Sequence, residues 1–277
     1  MHRVILSPTM SDVKLSPRYE IRPLELEHLD WAKAIFAHSF TATNVPQKVF
    51  SSPIWRNLYP HNKTARFYGL YQASHFLVKH QIRSGLSLGI FDTEYVFRNP
   101  SSASLGGALY FDSSDTSLDE DELLKRMDTP LVSIACAFDA FDMLDNRFVA
   151  PVTGRLPASA SFYEALGGDD EWPTAPGQVL RRMGTATRAD AAGEGFMKAM
   201  AHDMMRRAAE VGFSRIQIEC FHDAVTAVWA NPPAPFKGEV AREVNTYALD
   251  EIDAQGRRRF PFRPVRQMLT KVCVTLR

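Results

Sequence analysis

Apolar and polar residues alternate over Tyr19-Glu20-Ile21-Arg22-Pro23-Leu24, which predicts a short strand. The period then changes. Leu29, Ala32, Ile35 and Phe36 recur at helical spacing, with Glu27 and Asp30 near the start, where the helix dipole favours acids. A helix over 26–40 follows from this. Residues 41–63 contain Pro46, Pro53 and Pro60 and read as loop with short helical turns. Over 64–84 the helical period returns, placing Phe67, Leu70, Tyr71, Leu77 and Val78 near one face, and Gly85 supplies a stop. Two apolar stretches, 86–91 and 108–111, read as strands joined by a long hairpin connection.

The span 113–176 fits this rhythm least. Asp115 and the run Asp119-Glu120-Asp121-Glu122 open a helix that reaches Met127, the stretch 131–144 is apolar enough to be buried, and 151–176 is rich in Pro, Gly, Ala and Ser and reads as loop. Its apolar content is too small for a core of its own, so it is expected to be an insertion on a larger domain. Residues 1–18, polar with two prolines and no period, read as a tail.

The most informative stretch begins at residue 178. QVLRRMGTAT, 178–187, reads as a strand, and Arg188-Ala189-Asp190-Ala191-Ala192-Gly193-Glu194-Gly195 as a turn. An amphipathic helix over 196–210 follows, with Met197, Met200, Met204, Ala208 and Val211 on one stripe and Gly212 as its stop. Residues 214–221 alternate again, as a second strand. Strand, turn, helix, strand is a βαβ unit with parallel strands. A helix N-terminus carries free N–H groups and partial positive charge, and small residues there let a phosphate approach the backbone. No Lys-Ser or Lys-Thr follows the glycines, so this is not a Walker A loop, and two late glycines do not make a dinucleotide fingerprint.

Composition narrows the function. The chain has 277 residues, 45% hydrophobic and 23% charged, which supports a real core in one elaborated domain or two small ones. Lys+Arg and Asp+Glu are 32 each, a balance that argues against a dedicated nucleic-acid binder. No apolar run approaches the ~18 residues of a membrane span, and the first residues lack the apolar core of a secretory signal, so a cytoplasmic protein is expected. Cys136, Cys220 and Cys273 are widely spaced and read as reduced, buried thiols; neither they nor the acidic run, which lacks an Asp-x-Asp-x-Asp-Gly ladder, form a metal site. Arg257, Arg258, Arg259, Arg263 and Arg266 read as a solvated turn around Gly256.

The layout resembles the GNAT superfamily of acyl-CoA-dependent N-acyltransferases. The family motif, Gln/Arg-x-x-Gly-x-Gly/Ala, falls on Asp190-Ala191-Ala192-Gly193-Glu194-Gly195, with Asp190 departing at the first position and Arg188 two residues earlier as a substitute positive charge. In the family the amides of this turn hold the CoA pyrophosphate. The resemblance therefore implies a cofactor site at Thr185, Ala186, Thr187, Arg188, Asp190, Ala191, Ala192, Gly193, Glu194, Gly195 and Phe196. It continues downstream: His222 stands where the family commonly has Asn, and Trp229 where it has the Tyr that protonates the leaving thiolate. Trp229 either walls the pantetheine arm or is a core aromatic. Residues 86–111 correspond to the family's second and third strands, and 237–249 and 268–276 to its last two.

The implied fold is α/β: one domain over 19–277, a mixed, mostly antiparallel sheet of six or seven strands splayed near its middle, helices on both faces, and the insertion at 113–176. The implied activity is transfer of an acetyl or other short acyl group from acetyl-CoA, as co-substrate, to a primary amine on a small molecule by direct attack. No metal, nucleic acid or membrane is implied, and a homodimer stays open. His222, with an unperturbed pKa near ~6.5, is the candidate catalytic group, its other reading being a cap at a strand-to-helix turn. Glu219 is a candidate base or water holder, its other reading a paired carboxylate. Cys220, among isoleucines on its strand, reads as core. Two rivals are a catalytically inactive GNAT-fold acyl-CoA binder and a protein-interaction module that uses 113–176 as its surface.

Overall fold

The computed structural model describes residues 15–41, 63–167, 172–252 and 255–277. Most of the expected tail and of the proline-rich loop at 41–63 lies outside the described residues. In chain order the strands are β1 (Tyr19–Pro23), β2 (Leu88–Asp92), β3 (Ala108–Leu109), β4 (Met127–Asp128), β5 (Leu131–Asp139), β6 (Val179–Thr187), β7 (Arg215–Cys220), β8 (Lys237–Asn245), β9 (Glu251–Ile252), β10 (Arg258–Arg259) and β11 (Met268–Thr275). The helices are α1 (Leu29–Thr41), α2 (Lys63–Ala73), α3 (His75–Arg83), α4 (Pro100–Leu105), α5 (Glu120–Lys125), α6 (Asn146–Arg155), α7 (Pro157–Leu166), α8 (Phe196–Val211) and α9 (Asp223–Ala230).

Seven strands form one sheet in the order β1-β2-β5-β6-β7-β11-β8. Every neighbouring pair is antiparallel except β6 and β7. That pair is parallel because α8 carries the chain back between them, as the βαβ pattern requires. The sheet is thus mixed, mostly antiparallel and covered by helices, as expected. One core cluster joins it to α1, α2, α3 and α7; the other joins its opposite face to α8 and α9. The buried stripe of α8 runs through Phe196, Met200, Met204 and Ala208; Val211, expected on it, is exposed.

The central splay has a measurable form. β6 pairs with β7 only from Val179 to Arg182, opposite Arg215 to Ile218. β6 then runs on to Thr187 along β5 alone, with a register irregularity between Ala135 and Ala137. Past Arg182 the two strands part.

Three sequence expectations need correction. The third strand of the sheet is β5, inside the span taken as an insertion, whereas Ala108–Leu109 pairs with β4 in a separate two-stranded ribbon. LVSIACAF is buried on both faces, so it carries no alternation to betray a strand. Residues expected to be loop form α6 and α7. Asp145 caps α6 by accepting the Arg147 N–H, and Pro157 sits in the first turn of α7, where its missing N–H costs nothing. The single helix expected over 64–84 is two, meeting at buried Ser74.

Candidate functional site

The turn before α8 is built to keep a helix N-terminus bare. Gly193 has φ +92° and Gly195 φ +77°, conformations that L side chains resist. Gly195 is the N-cap, and no side chain caps the helix. The opening N–H groups of α8 therefore have no intrahelical acceptor. A Cβ built on Gly193 would meet nothing within 4 Å, so the approach to this backbone is open.

Arg188 sets the turn rather than serving it as a cation. Its side chain is 2% exposed and grips Asp190 through Nε at 3.0 Å and Nη2 at 2.6 Å, while Nη1 donates to the Thr129 carbonyl at 2.7 Å. Neither Arg188 nor Asp190 lines the main cavity. The expected substitute charge toward a phosphate is thus withdrawn by a partner two residues away. Lys198, on the first turn of α8, lines the cavity instead.

That cavity, about 890 Å³, is lined both by the turn and by the parted ends of β6 and β7. Thr185, Ala186, Thr187, Ala191, Ala192, Gly193, Glu194, Gly195 and Phe196 line it, as do Glu219 and His222. Residues of α1, α6, α7 and α9 complete the wall. The Thr185 hydroxyl is buried with no hydrogen-bond partner, and the Thr187 hydroxyl is tied to Ser133 at 2.7 Å.

Across the β6–β7 pair, Arg181 holds Glu219 at 2.6 Å, with side chains 14% and 4% exposed. Glu219 is thus a paired carboxylate rather than a solitary base. Tyr163, from α7, lines the same region; burial pushes its hydroxyl well up, so it stays protonated at neutral pH. Arg182 also lines the cavity, its guanidinium carbon 5.9 Å from the Trp229 ring centre. Trp229 itself is 1% exposed, belongs to the core between the sheet and α8, and does not line the cavity. Of its two sequence readings, the core aromatic is the one observed.

His222 takes the capping role weighed for it and also stands on the cavity wall. It is the N-cap of α9, where Nδ1 accepts the Ala224 N–H at 3.1 Å, and its ring lines the cavity. Accepting at Nδ1 places the ring hydrogen of the neutral imidazole on Nε2. In that tautomer Nε2 is a donor and Nδ1, occupied by the Ala224 N–H, is not open to take a proton from a ligand. Cys220 and Cys136 are buried and their thiols are pushed up to about 12, as core residues. Among the described residues no group of three His, Cys, Asp or Glu side chains could hold a metal ion, and no helix is long and apolar enough to cross a membrane.

Burial lowers the pKa of His222, with Asp223 opposing, and of His38, whose Nε2 lies 3.2 Å from the Glu120 carbonyl. A histidine depressed in the folded state binds fewer protons folded than unfolded, so stability falls as pH drops below the ordinary value of 6.5. Urea midpoints should decline from pH 7 to pH 5, and these groups should add nothing above pH 7. A flat midpoint across that window would show that neither imidazole is protected from protonation.

No family model matches the chain, and no curated protein matches it. Solved structures do. The chain is 14% identical to the C-terminal condensation domain of Ebony, solved with beta-alanyl-dopamine, covering 94% of this chain and 99% of that one with a TM-score of 0.56. It is 10% identical to a yellow fever mosquito protein assigned as arylalkylamine N-acetyltransferase 7, covering 94% and 88% with a TM-score of 0.53. The fold is that of the GNAT acyltransferases.

Proposed function

We propose that this protein moves an acetyl or other short acyl group from CoA to a primary amine on a small molecule, by direct attack, in the cytoplasm. The observation that carries the reading is the bare N-terminus of α8, shaped by two glycines of positive φ and lining one cavity with the parted strands β6 and β7. The residues fit the group. Amides of the 193–198 turn and Lys198 would hold the pyrophosphate, and the buried, partnerless Thr185 hydroxyl lies further in. CoA supplies the acyl group as a thioester. His222 would donate from Nε2 to an oxygen or sulfur that gains charge, and Tyr163 offers a second neutral donor. The raised thiols of Cys220 and Cys136 speak against a covalent acyl-cysteine, and their unbridged state agrees with a reducing compartment.

The decisive experiment is acetyl-CoA calorimetry followed by an amine panel scored by mass. We expect a dissociation constant of roughly 10⁻⁵ M, within the usual range for enzyme substrates. No heat at millimolar acetyl-CoA would overturn the reading. Binding without turnover would favour the inactive acyl-CoA binder, a reading that the paired state of Glu219 and the core position of Trp229 support.

Once an acceptor is known, His222→Ala should lower kcat about tenfold or more. The wild-type rate should fall on the acid side, below pH 6.5, because the proton disrupts the Nδ1 contact. His222→Asn keeps a capping oxygen and an N–H donor. It should recover stability and part of the rate, without the acid limb. An unchanged kcat and pH profile in His222→Ala would leave the ring with only its capping role.

A further inference from the structure

Arg182 stands at the last paired position of β6, opposite Ile218, where the strand leaves β7. It is 4% exposed and lines the cavity. Its Nε is buried with no hydrogen-bond partner, and among the described residues no carboxylate lies within ion-pair distance of its guanidinium. The groups near enough to act on its charge are Cys136, Cys220 and Tyr163, all neutral at pH 7, and the Trp229 ring supports one face. Four other arginines behave differently. Arg181, one residue earlier, is held by Glu219; Arg188 by Asp190; Arg206 and Arg207 by Asp203. Burial pulls Arg182 down to about 10, which still leaves it a cation at neutral pH.

A buried cation with no counter-charge is costly, and a fork of N–H donors facing a cavity is unsatisfied without an acceptor. An aromatic face offsets part of the charge but accepts none of the in-plane N–H groups. A neutral carbonyl would accept a hydrogen bond without cancelling the charge. A carboxylate does both, in the planar two-point geometry that a guanidinium matches. On the acyl-transfer reading the pyrophosphate goes to the bare helix end at 193–198, past the end of β6, and does not call on Arg182.

We propose that Arg182 receives a carboxylate carried by the substrate, so that the cavity selects a ligand with an anionic end. This deepens the acyl-transfer reading and rests on it. The carboxylate has two sources with one chemistry: the far end of a dicarboxylic acyl thioester, or the acid group of an amino-acid acceptor.

Calorimetry separates them. In the donor arm, succinyl-CoA is compared with butyryl-CoA, which has the same chain length and a neutral end. In the acceptor arm, amino acids are compared with their amides in the presence of CoA. We expect the carboxylate ligand to bind at least tenfold tighter than its neutral partner in one arm. In Arg182→Gln that ratio should fall below threefold, while Arg182→Lys, keeping charge without the fork, should give an intermediate value. Unacylated CoA reads the phosphate cradle separately: loss of its binding by the wild-type protein would defeat the acyl-transfer reading, whatever the ratios. Equal affinities in both arms of the wild-type protein, or a preference that survives in Arg182→Gln, would overturn the role of Arg182. If Arg182→Gln does not fold, the wild-type ratios and Arg182→Lys decide.

Discussion

Glu219→Ala should destabilise the protein by about 3–5 kcal/mol, the largest loss expected from any polar substitution in this cavity. The pair it breaks is short and enclosed: 2.6 Å between Arg181 Nη2 and the carboxylate, with both side chains largely buried. Removing the acid strands Arg181 in a buried site, on the face of the sheet that also carries Lys271, the register partner of Glu219 on β11. Arg181 and Lys271 would then stand on one face of the sheet without that acid. Glu219→Gln keeps an acceptor for Arg181 and should lose less. Urea unfolding of the three proteins at pH 7 provides the comparison. A loss below about 1 kcal/mol for the alanine variant would mean that the pair behaves as a solvated surface bridge.

The second large effect concerns Gly193. Gly193→Val should weaken acetyl-CoA binding by tenfold to a hundredfold, about 1.4–2.8 kcal/mol. The space around the new side chain is not the obstacle, because nothing lies within 4 Å of its Cβ. The obstacle is φ +92°, where a β-branched residue is strained by about 1–3 kcal/mol, so the turn shifts and its amides lose their aim. The variant should fold, since the turn lies at the surface end of the core. Gly193→Ala should fall between. Unchanged affinity in a folded Gly193→Val protein would remove the turn from the phosphate site.

The βαβ unit was legible because its signals are local. The 3.6-residue period of α8 and the glycines that bound it need no knowledge of the rest of the chain, and the strand ends differ from expectation by a residue or so. β5 was not legible as a sheet strand, since burial on both faces erases alternation and its register partners lie 40 to 54 residues away in the sequence. α6 and α7 were hidden by prolines at positions that tolerate them or kink the helix, and by small residues that still bury Phe162 and Leu166.

At the site, the turn and His222 could be placed from spacing, but Tyr163 could not: α7 reaches the cavity only through tertiary packing. One missed signal was present. Adjacent arginines in a strand point to opposite faces, so Arg181-Arg182 in a strand covered on both sides must bury at least one cation. The partner of Arg188 was equally near, at Asp190, but the sequence pattern did not specify the backbone that brings the two side chains together.

The short β6–β7 pairing has a mechanical consequence. The sheet is two half-sheets, β1-β2-β5-β6 and β7-β11-β8, joined through the pairing of Val179–Arg182 with Arg215–Ile218 and through α8. Such a seam is the place where the molecule can breathe without unfolding either half. Amides beside the gap should exchange with solvent faster than those in the middle of β5 or β11. A ligand lodged in the gap touches both halves and closes the seam, so it should slow exchange on both sides of it at once. Bound at a hundredfold excess over its dissociation constant, it would add about 2.7 kcal/mol to the free energy of unfolding, and a melting curve would report it before any reaction product is known.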